Sequence, residues 1–383
     1  MKVVCDRSAL LDAANLIAPV VAVRSPRPQL LCVKLTATVE DGTGTLNFAA
    51  TDASVSASLT TSHVDVQEPG EALIPADKLR QIVHAEDSDS TLTIETNGEA
   101  VNIHGTDAKF TIYGLPPADF PPVATFPEDR DAVSLSAGEF DGLISRTLFA
   151  TSKESSRYAI NGVLVNIAGK KIELVSTDGR RLAMASGQVD DNAAGKDFNA
   201  IIPTKALGQL GKLLGDPAEP VRLAITENQA VFALGEPGQP PRAVLSGSLV
   251  EGAFPPYEDV IPKDQDKKAT FDVAQLTSAV RRAALLTNEE SRGVRLRIAG
   301  TGDDATLHLT SRAPEMGEAS VDLAVPEYEG EEIEIGFNPE FITDALKVVQ
   351  EPQIVVELKA PNRPGVFRSG SDFTYVVMPV NLQ

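Results

Sequence analysis

Leu46-Asn-Phe-Ala-Ala-Thr-Asp52 alternates like a half-buried strand and ends in a Thr-Asp turn, and it returns as Ile172-Glu-Leu-Val-Ser-Thr-Asp178. Leu307-His-Leu-Thr-Ser-Arg312 is a looser third copy, so that Asp52, Asp178 and Arg312 follow one another at offsets of 126 and 134 residues. A repeat of this length governs how the rest of the chain is read. Upstream of each strand lies an amphipathic helical segment. Ser8 to Ala18 puts Leu10, Ala14 and Ile17 on one face. Ser136 to Phe149 does so with Phe140, Leu143, Ile144 and Leu148, behind a capping box of Ser136 and Glu139. Asp272 to Leu286 does so with Leu276, Ala279, Val280, Ala283 and Ala284, capped by Asp272 and Gln275. Downstream a second helix opens at a proline, in Ile74-Pro-Ala-Asp-Lys-Leu79 and Ile202-Pro-Thr-Lys-Ala-Leu207. In Phe337-Asn-Pro-Glu-Phe341 the N-cap is Asn338 and the first helical residue is Pro339. Alternating strands then close each repeat, and two repeats end in Phe-Pro-Pro, at Phe120 to Pro122 and Phe254 to Pro256.

The predicted fold class is therefore α+β, as three repeated two-layer helix/sheet domains over 1–127, 128–261 and 262–383, with boundaries in Pro- and charge-rich stretches. Of the 383 residues 42% are hydrophobic and 23% charged, which is ordinary for a globular protein. No apolar run reaches the roughly 20 residues of a membrane span. Lys2, Asp12 and Asn15 do not make a signal peptide. The two cysteines, Cys5 and Cys32, exclude a disulfide scaffold or a Cys-rich zinc site and fit a reducing cytoplasm.

Catalytic signals are missing. Gly169-Lys170, Gly195-Lys196 and Gly211-Lys212 lack the rest of a phosphate-binding loop, and His63, His84, His104 and His308 have no metal-ligand spacing. Gly300-Thr-Gly-Asp-Asp-Ala305 formally fits a dinucleotide fingerprint, but strand-like Thr306-Leu-His-Leu-Thr310 follows it where a helix is required, so a hairpin turn is expected. Acidic pairs such as Asp190-Asp191 and Glu331-Glu332 read as solvated loop charge. The expectation is a protein that is no enzyme and carries neither cofactor nor metal.

Several strings, in order and on the three repeats, resemble the bacterial sliding-clamp family, the beta subunit of DNA polymerase III. They are Leu148-Phe-Ala-Thr-Ser-Lys-Glu154, Arg157-Tyr-Ala-Ile-Asn-Gly-Val163, Thr177-Asp-Gly-Arg-Arg-Leu-Ala183 and Phe254-Pro-Pro-Tyr257. Arg282-Ala-Ala-Leu-Leu-Thr-Asn-Glu289, Arg292-Gly-Val-Arg-Leu296, Gly336-Phe-Asn338 and Tyr375-Val-Val-Met-Pro-Val380 complete the set. The resemblance implies the DNA clamp fold in a head-to-tail homodimeric ring, with helices lining a hole for double-stranded DNA and sheet outside. It implies a processivity factor without sequence specificity, opened and closed by an ATP-driven clamp loader. Its other partners would be the replicative DNA polymerase subunit and other clamp-motif repair and replication proteins, away from any membrane.

By the same resemblance a partner-peptide groove comprises Ile160, Thr177, Gly179, Arg180, Arg181, Leu182, Pro255, Val260, Asn338 and Phe341, completed by Val376, Val377, Met378, Pro379, Val380 and Leu382. Such a set makes a greasy groove with a polar rim, and Met adapts to varied peptides. Asp259 and Ser291 stand where relatives can have a basic and an aromatic residue, and Arg180 replaces a common His. The implied dimer contact sets Phe110 and Ile112 against Leu285 and Leu286. Arg24, Arg27, Arg157 and Tyr158 are implied DNA contacts, with Ala159 where relatives can have a second Tyr.

The net charge of −20 argues against nucleic acid when averaged over the chain. The predicted helices nevertheless carry Lys78, Arg80, Arg146, Lys205, Lys212, Arg281, Arg282 and Lys347, a weakly positive set within a negative shell. That suits loose, sequence-independent phosphate contact. The rival reading is an acidic triplicated scaffold or a DNA mimic, which total charge favours. The helix charges and the apolar C-terminus favour the clamp.

Overall fold

A computed structural model of the chain describes all residues except 128–131, 153–158, 193–196, 288–292, 315 and 382–383. The three repeats each supply nine strands and two α-helices among the described residues. In the first, β1 (Lys2–Asp6), α1 (Arg7–Ile17), β2 (Cys32–Glu40), β3 (Thr43–Thr51), β4 (Val55–Thr61), β5 (Val64–Glu68) and β6 (Gly70–Pro75) precede α2 (Ala76–Ala85), β7 (Thr91–Asn97), β8 (Ala100–His104) and β9 (Lys109–Tyr113). In the second, β10 (Val133–Ser136), α3 (Ala137–Thr147), β11 (Gly162–Ala168), β12 (Lys171–Thr177), β13 (Arg181–Gln188), β14 (Asp191–Asn192) and β15 (Phe198–Pro203) precede α4 (Thr204–Leu213), β16 (Pro220–Ile225), β17 (Gln229–Leu234) and β18 (Ala243–Ser248). In the third, β19 (Lys267–Asp272), α5 (Val273–Ala283), β20 (Val294–Ala299), β21 (Thr306–Ala313), β22 (Gly317–Ala324), β23 (Glu327–Glu329) and β24 (Ile333–Phe337) precede α6 (Pro339–Leu346), β25 (Gln353–Leu358), β26 (Gly365–Ser369) and β27 (Phe373–Val377).

The helices start where polar caps satisfy their first free N–H groups. Asp6 accepts from the Ala9 N–H, Asp272 from Gln275 and Asn338 from Glu340. The first helix thus begins one residue before Ser8, because Asp6 is the cap. Ser136 Oγ accepts from the Glu139 N–H at 3.2 Å. The predicted helix ends at Phe149 and Leu286 are 3₁₀ turns, Leu148–Ala150 and Ala284–Leu286. The glycine-rich Gly300–Ala305 stretch connects β20 to β21 as an antiparallel hairpin, as expected.

Strand order is the same three times over. One sheet runs β5-β1-β7-β8-β9, and its counterparts run β14-β10-β16-β17-β18 and β23-β19-β25-β26-β27. The other runs β4-β3-β2-β6, then β13-β12-β11-β15, then β22-β21-β20-β24. Repeats are joined by strand pairing. The β18 strand pairs antiparallel with β4, and β27 with β13, making two nine-stranded sheets. Two edges in this scheme, β9 and β22, have no such neighbour among the described residues.

The chain folds as two compact units that cut across the repeats. One comprises Met1–Asp141, Val189–Lys196 and Lys205–Leu249, and the other Gly142–Gln188, Asp197–Thr204 and Val250–Gln383. Within the first, α1 packs on α2 and over β3 and β4, and the side chain of Gln209 on α4 donates to the Leu16 carbonyl. Within the second, α5 packs on α6 and over β21 and β22. Ser176 donates to Thr147 O at 2.5 Å and Ser311 to Ala283 O at 2.6 Å, each tying a strand to a helix end. Ser311 is therefore the partner of Ser176, and the third copy is shifted by one residue from the alignment that set Arg312 against Asp178.

Candidate functional site

The apolar part of the expected groove lies within the second unit, where β13 pairs with β27. Leu182 stands opposite Val376 and Arg181 opposite Val377. Leu182 and Val376 are 3% and 1% exposed and belong to one cluster with Ala159, Leu164, Val175 and Ile201. These two are floor rather than contact surface. Half-buried Met184, Val250, Phe254, Tyr257 and Ile261 pack against the same cluster. None of the five was among the residues carried over from the family. Met184 could have been found from its place two residues beyond Leu182, on the same strand face. Phe254 and Tyr257 meet edge to face at 6.2 Å, and the Tyr257 hydroxyl donates to Glu173 at 2.8 Å. Burial first, then Glu173, pushes that phenol above its ordinary pKa.

A tight turn leads into β13. Asp178 Oδ1 accepts from the N–H groups of Arg180 and Arg181 at 2.9 and 3.0 Å. Thr177 Oγ1 donates to Arg181 O at 2.6 Å and accepts from the Gly179 N–H at 3.1 Å. Gly179 has φ +86°, which a side chain would resist. The turn leaves Gly179 and Arg180 exposed. The Met378 N–H bonds back to Arg180 O at 2.8 Å and the Val380 N–H to Gly336 O at 2.9 Å. Met378 and Val260 remain 40% and 44% exposed. Pro255, Phe341, Asn338, Pro379 and Val380 are half-buried, and Ile160, Thr177 and Val377 are buried. Asp259 is exposed. Leu382, Ser291, Arg157 and Tyr158 lie outside the described residues.

Arg181 does not sit on a rim. Its side chain is only 11% exposed and each of its three nitrogens is engaged inward, with Asp178 at 3.0 Å, Asp344 of α6 at 2.9 Å and the Phe149 carbonyl at 2.9 Å. The guanidinium also stacks on Phe341 at 4.5 Å and Phe149 at 5.4 Å. Burial works against its charge, but the Asp344 hydrogen bond and the neighbouring groups outweigh that and raise its pKa. Arg181 braces the Thr177–Arg181 turn from beneath, and Arg180 is the arginine presented to solvent.

The helical cations separate in the same way. Arg146 is tied to Asp372 at 2.6 Å with its side chain 12% exposed, and Lys205 bonds Asp52 at 2.5 Å and Val20 O at 3.1 Å. Lys78 and Lys347 are exposed but lie beside Asp77 and Asp344. Arg24, Arg27, Arg80, Lys212, Arg281 and Arg282 are exposed and make no ion pair among the described residues. At the expected dimer contact, Leu285 is 72% exposed and Leu286 half-buried, whereas Phe110 is half-buried and Ile112 is already 7% exposed in the single chain.

No helix among the described residues is long and apolar enough to cross a membrane. Family models for the N-terminal, central and C-terminal domains of the DNA polymerase III beta subunit match residues 1–124, 134–256 and 258–381. The beta sliding clamp of Pseudomonas putida is 32% identical, over 98% of this chain and 99% of its own length, and that of Vibrio cholerae is 31% identical over all of both. The crystal structure of the DNA polymerase III subunit beta from Pseudomonas aeruginosa matches with a TM-score of 0.86 at 32% identity, covering 100% of both chains. A DnaN sliding clamp from the same organism, bound to griselimycin, matches at 0.87 and 31% over the same extent. With three successive domain models matched along nearly its whole length, the chain belongs to the DNA polymerase III beta subunit family.

Proposed function

We propose that this protein is a DNA polymerase processivity factor, a sliding clamp that encircles duplex DNA without reading its sequence and does no chemistry itself. The observation that carries the reading is the pairing rule between repeats. The β18 edge closes on β4 and the β27 edge on β13, so the rule calls for β9 to close on β22. Among the described residues of one chain those two edges have no such partner, and a second copy supplies both. The result is a head-to-tail homodimer with two copies of one contact, built from three domains per chain with boundaries near 127 and 261. Of the four residues expected there, Leu285 has the most apolar surface to lose and Ile112 very little.

In this reading Arg24, Arg27, Arg80, Lys212, Arg281 and Arg282 make loose phosphate contacts, joined by Arg157 and Tyr158. The exposed rim of the groove, with Val260, Arg180 and Met378 above the Leu182 and Val376 floor, takes an extended peptide from the replicative polymerase, the ATP-driven loader and repair proteins. The setting is the cytoplasm. Light scattering tests the assembly: the protein should run near twice 40.6 kDa. An acidic DNA mimic has no reason to pair. Leu285→Lys places an unpaired charge in the contact, costs several kcal/mol of association, and should give folded monomers. A variant that stays dimeric at micromolar concentration removes the assignment. For the groove, deletion of Met378 to Gln383 should leave the dimer intact and weaken a polymerase peptide by about ten-fold or more in calorimetry.

A further inference from the structure

The hairpin between β8 and β9 brings the carboxylate of Asp107 against those of Glu86 and Asp89, in the segment that follows α2. One oxygen from each of Glu86, Asp89 and Asp107 lies within 4.8 Å of the others. Glu86 ends α2, its N–H bonded to Ile82 O at 3.0 Å, and it is only 8% exposed. Among the described residues no hydrogen-bond donor or cation reaches its carboxylate. A carboxylate on a residue this covered gains from a positive partner. Asp89 is held in place by the hairpin: it accepts from the Thr106 N–H at 2.8 Å and from the Thr106 hydroxyl at 2.6 Å. Those bonds hold its carboxyl below the usual range. Asp107 is exposed at the hairpin tip.

The backbone is shaped to admit this grouping. A Cβ at Gly105 would stand 1.8 Å from Asp89 Oδ2 and 3.2 Å from Glu86 Oε2, so glycine lets both carboxylates stay where they are. The three also gather at the C-terminal end of a helix, where the macrodipole is itself negative. Arg7 donates to His84 O at 3.2 Å at that helix end, yet makes no ion pair with any of the three. Carboxylates this close repel one another, and a cation between them would relieve that repulsion.

We propose that Glu86, Asp89 and Asp107 form a binding site for a hard divalent cation. Ca²⁺ suits carboxylates offered by two loops, with water filling the remaining positions. Mg²⁺ shares the chemistry but demands a stricter octahedron. A bound ion links the end of α2 to the β8–β9 hairpin and so steadies β9, the strand proposed above to meet a second copy.

Calorimetric titration of the full-length protein with Ca²⁺, and separately with Mg²⁺, tests the site. Wild type should bind one ion beyond the diffuse background of an acidic surface. Glu86→Gln and Asp107→Asn should each weaken that binding by about ten-fold or more. Without added ion, Glu86→Gln should unfold at a higher temperature than wild type, because it relieves the repulsion. With Ca²⁺ present the order should reverse. Hydrogen exchange over 109–113 should slow on addition of Ca²⁺ to wild type only. Asp107→Asn alters an exposed side chain and keeps the test decisive if the buried variant folds poorly. Mg²⁺ binding lost in the same variants supports the site equally. Binding of neither ion at millimolar concentration, or variants that titrate like wild type, would overturn it.

Discussion

The chain builds one turn twice, once at each junction between repeats. Thr51 donates to Val55 O and accepts from the Ala53 N–H, as Thr177 does with Arg181 O and the Gly179 N–H. Asp52 accepts from the N–H groups of Ser54 and Val55, as Asp178 does from Arg180 and Arg181. Both turns are then tied to the second helix of the following repeat, with opposite polarity. At the first, a lysine on α4, Lys205, reaches back to Asp52. At the second, the turn supplies the cation, Arg181, and α6 supplies the acid, Asp344. The first tie is a half-exposed ion pair backed by a buried Ser56–Ser246 hydroxyl contact of 2.8 Å. The second is a buried guanidinium with two carboxylates, a carbonyl and two rings around it. A similar local sequence thus gives similar backbone and very different energetics, and the expected groove lies beside the stiffer copy.

Arg181→Ala should break the comparison most sharply. It strands Asp178 and Asp344 in a partly buried place and removes the ring stacking, at a cost of about 3–5 kcal/mol. Hydrogen exchange of β13 and β27 measures it. A loss no larger than that of a surface pair would mean the arginine is incidental.

The φ angles offer a finer test. Ala53 holds φ +80° where the second turn has Gly179 at +86°. Ala53→Gly should therefore stabilise the first turn and Gly179→Ala destabilise the second, each by about 1 kcal/mol. Nothing lies within 4 Å of a Cβ at Gly179, so that cost is conformational rather than steric. Equal and opposite shifts in thermal unfolding would support the equivalence of the turns, and two shifts of the same sign would refute it.

Acid should separate the ties by mechanism. Burial opposes ionisation of Asp52 and Asp344. Hydrogen bonds from Lys205 to the first, and from Arg181 and Lys347 to the second, outweigh it and keep both carboxyls below the usual range. A depressed folded pKa stabilises above the unfolded value of about 3.9, and that contribution fades as pH falls through the folded value. Unfolding measured between neutral pH and roughly pH 2 should show this loss, reduced in Arg181→Ala. The smallest effect belongs to Lys205→Ala. Its side chain is 40% exposed, so solvent screens the pair and about 1 kcal/mol or less is expected. A cost matching that of Arg181→Ala would erase the distinction between the two junctions.

Local pattern made much of this legible. Helix faces, the caps Asp272 and Asn338, and the repeated strands follow from neighbours a few residues apart. The sharing of sheets did not, because β4 meets β18 and β13 meets β27 across nearly two hundred residues. In Thr177-Asp-Gly-Arg-Arg181 the two arginines read alike, and only tertiary placement leaves Arg180 in water and buries its neighbour. Arg146 counted as an available helical cation because its partner Asp372 is 226 residues away. The Glu86, Asp89 and Asp107 grouping was hidden for the same reason: it needs the hairpin to fold back on the helix end.

The order of strand pairing has a directional consequence. Each junction joins the first sheet of a later repeat to the second sheet of the one before it, never the reverse. A chain of such links has an arrow. When copies close into a loop by continuing the same rule, no two-fold axis perpendicular to the loop's axis exchanges its two sides, and equivalent grooves would open toward the same side. A protein docked there on a featureless duplex would face one way along it, so such a ring would hand its passengers a heading without touching a base.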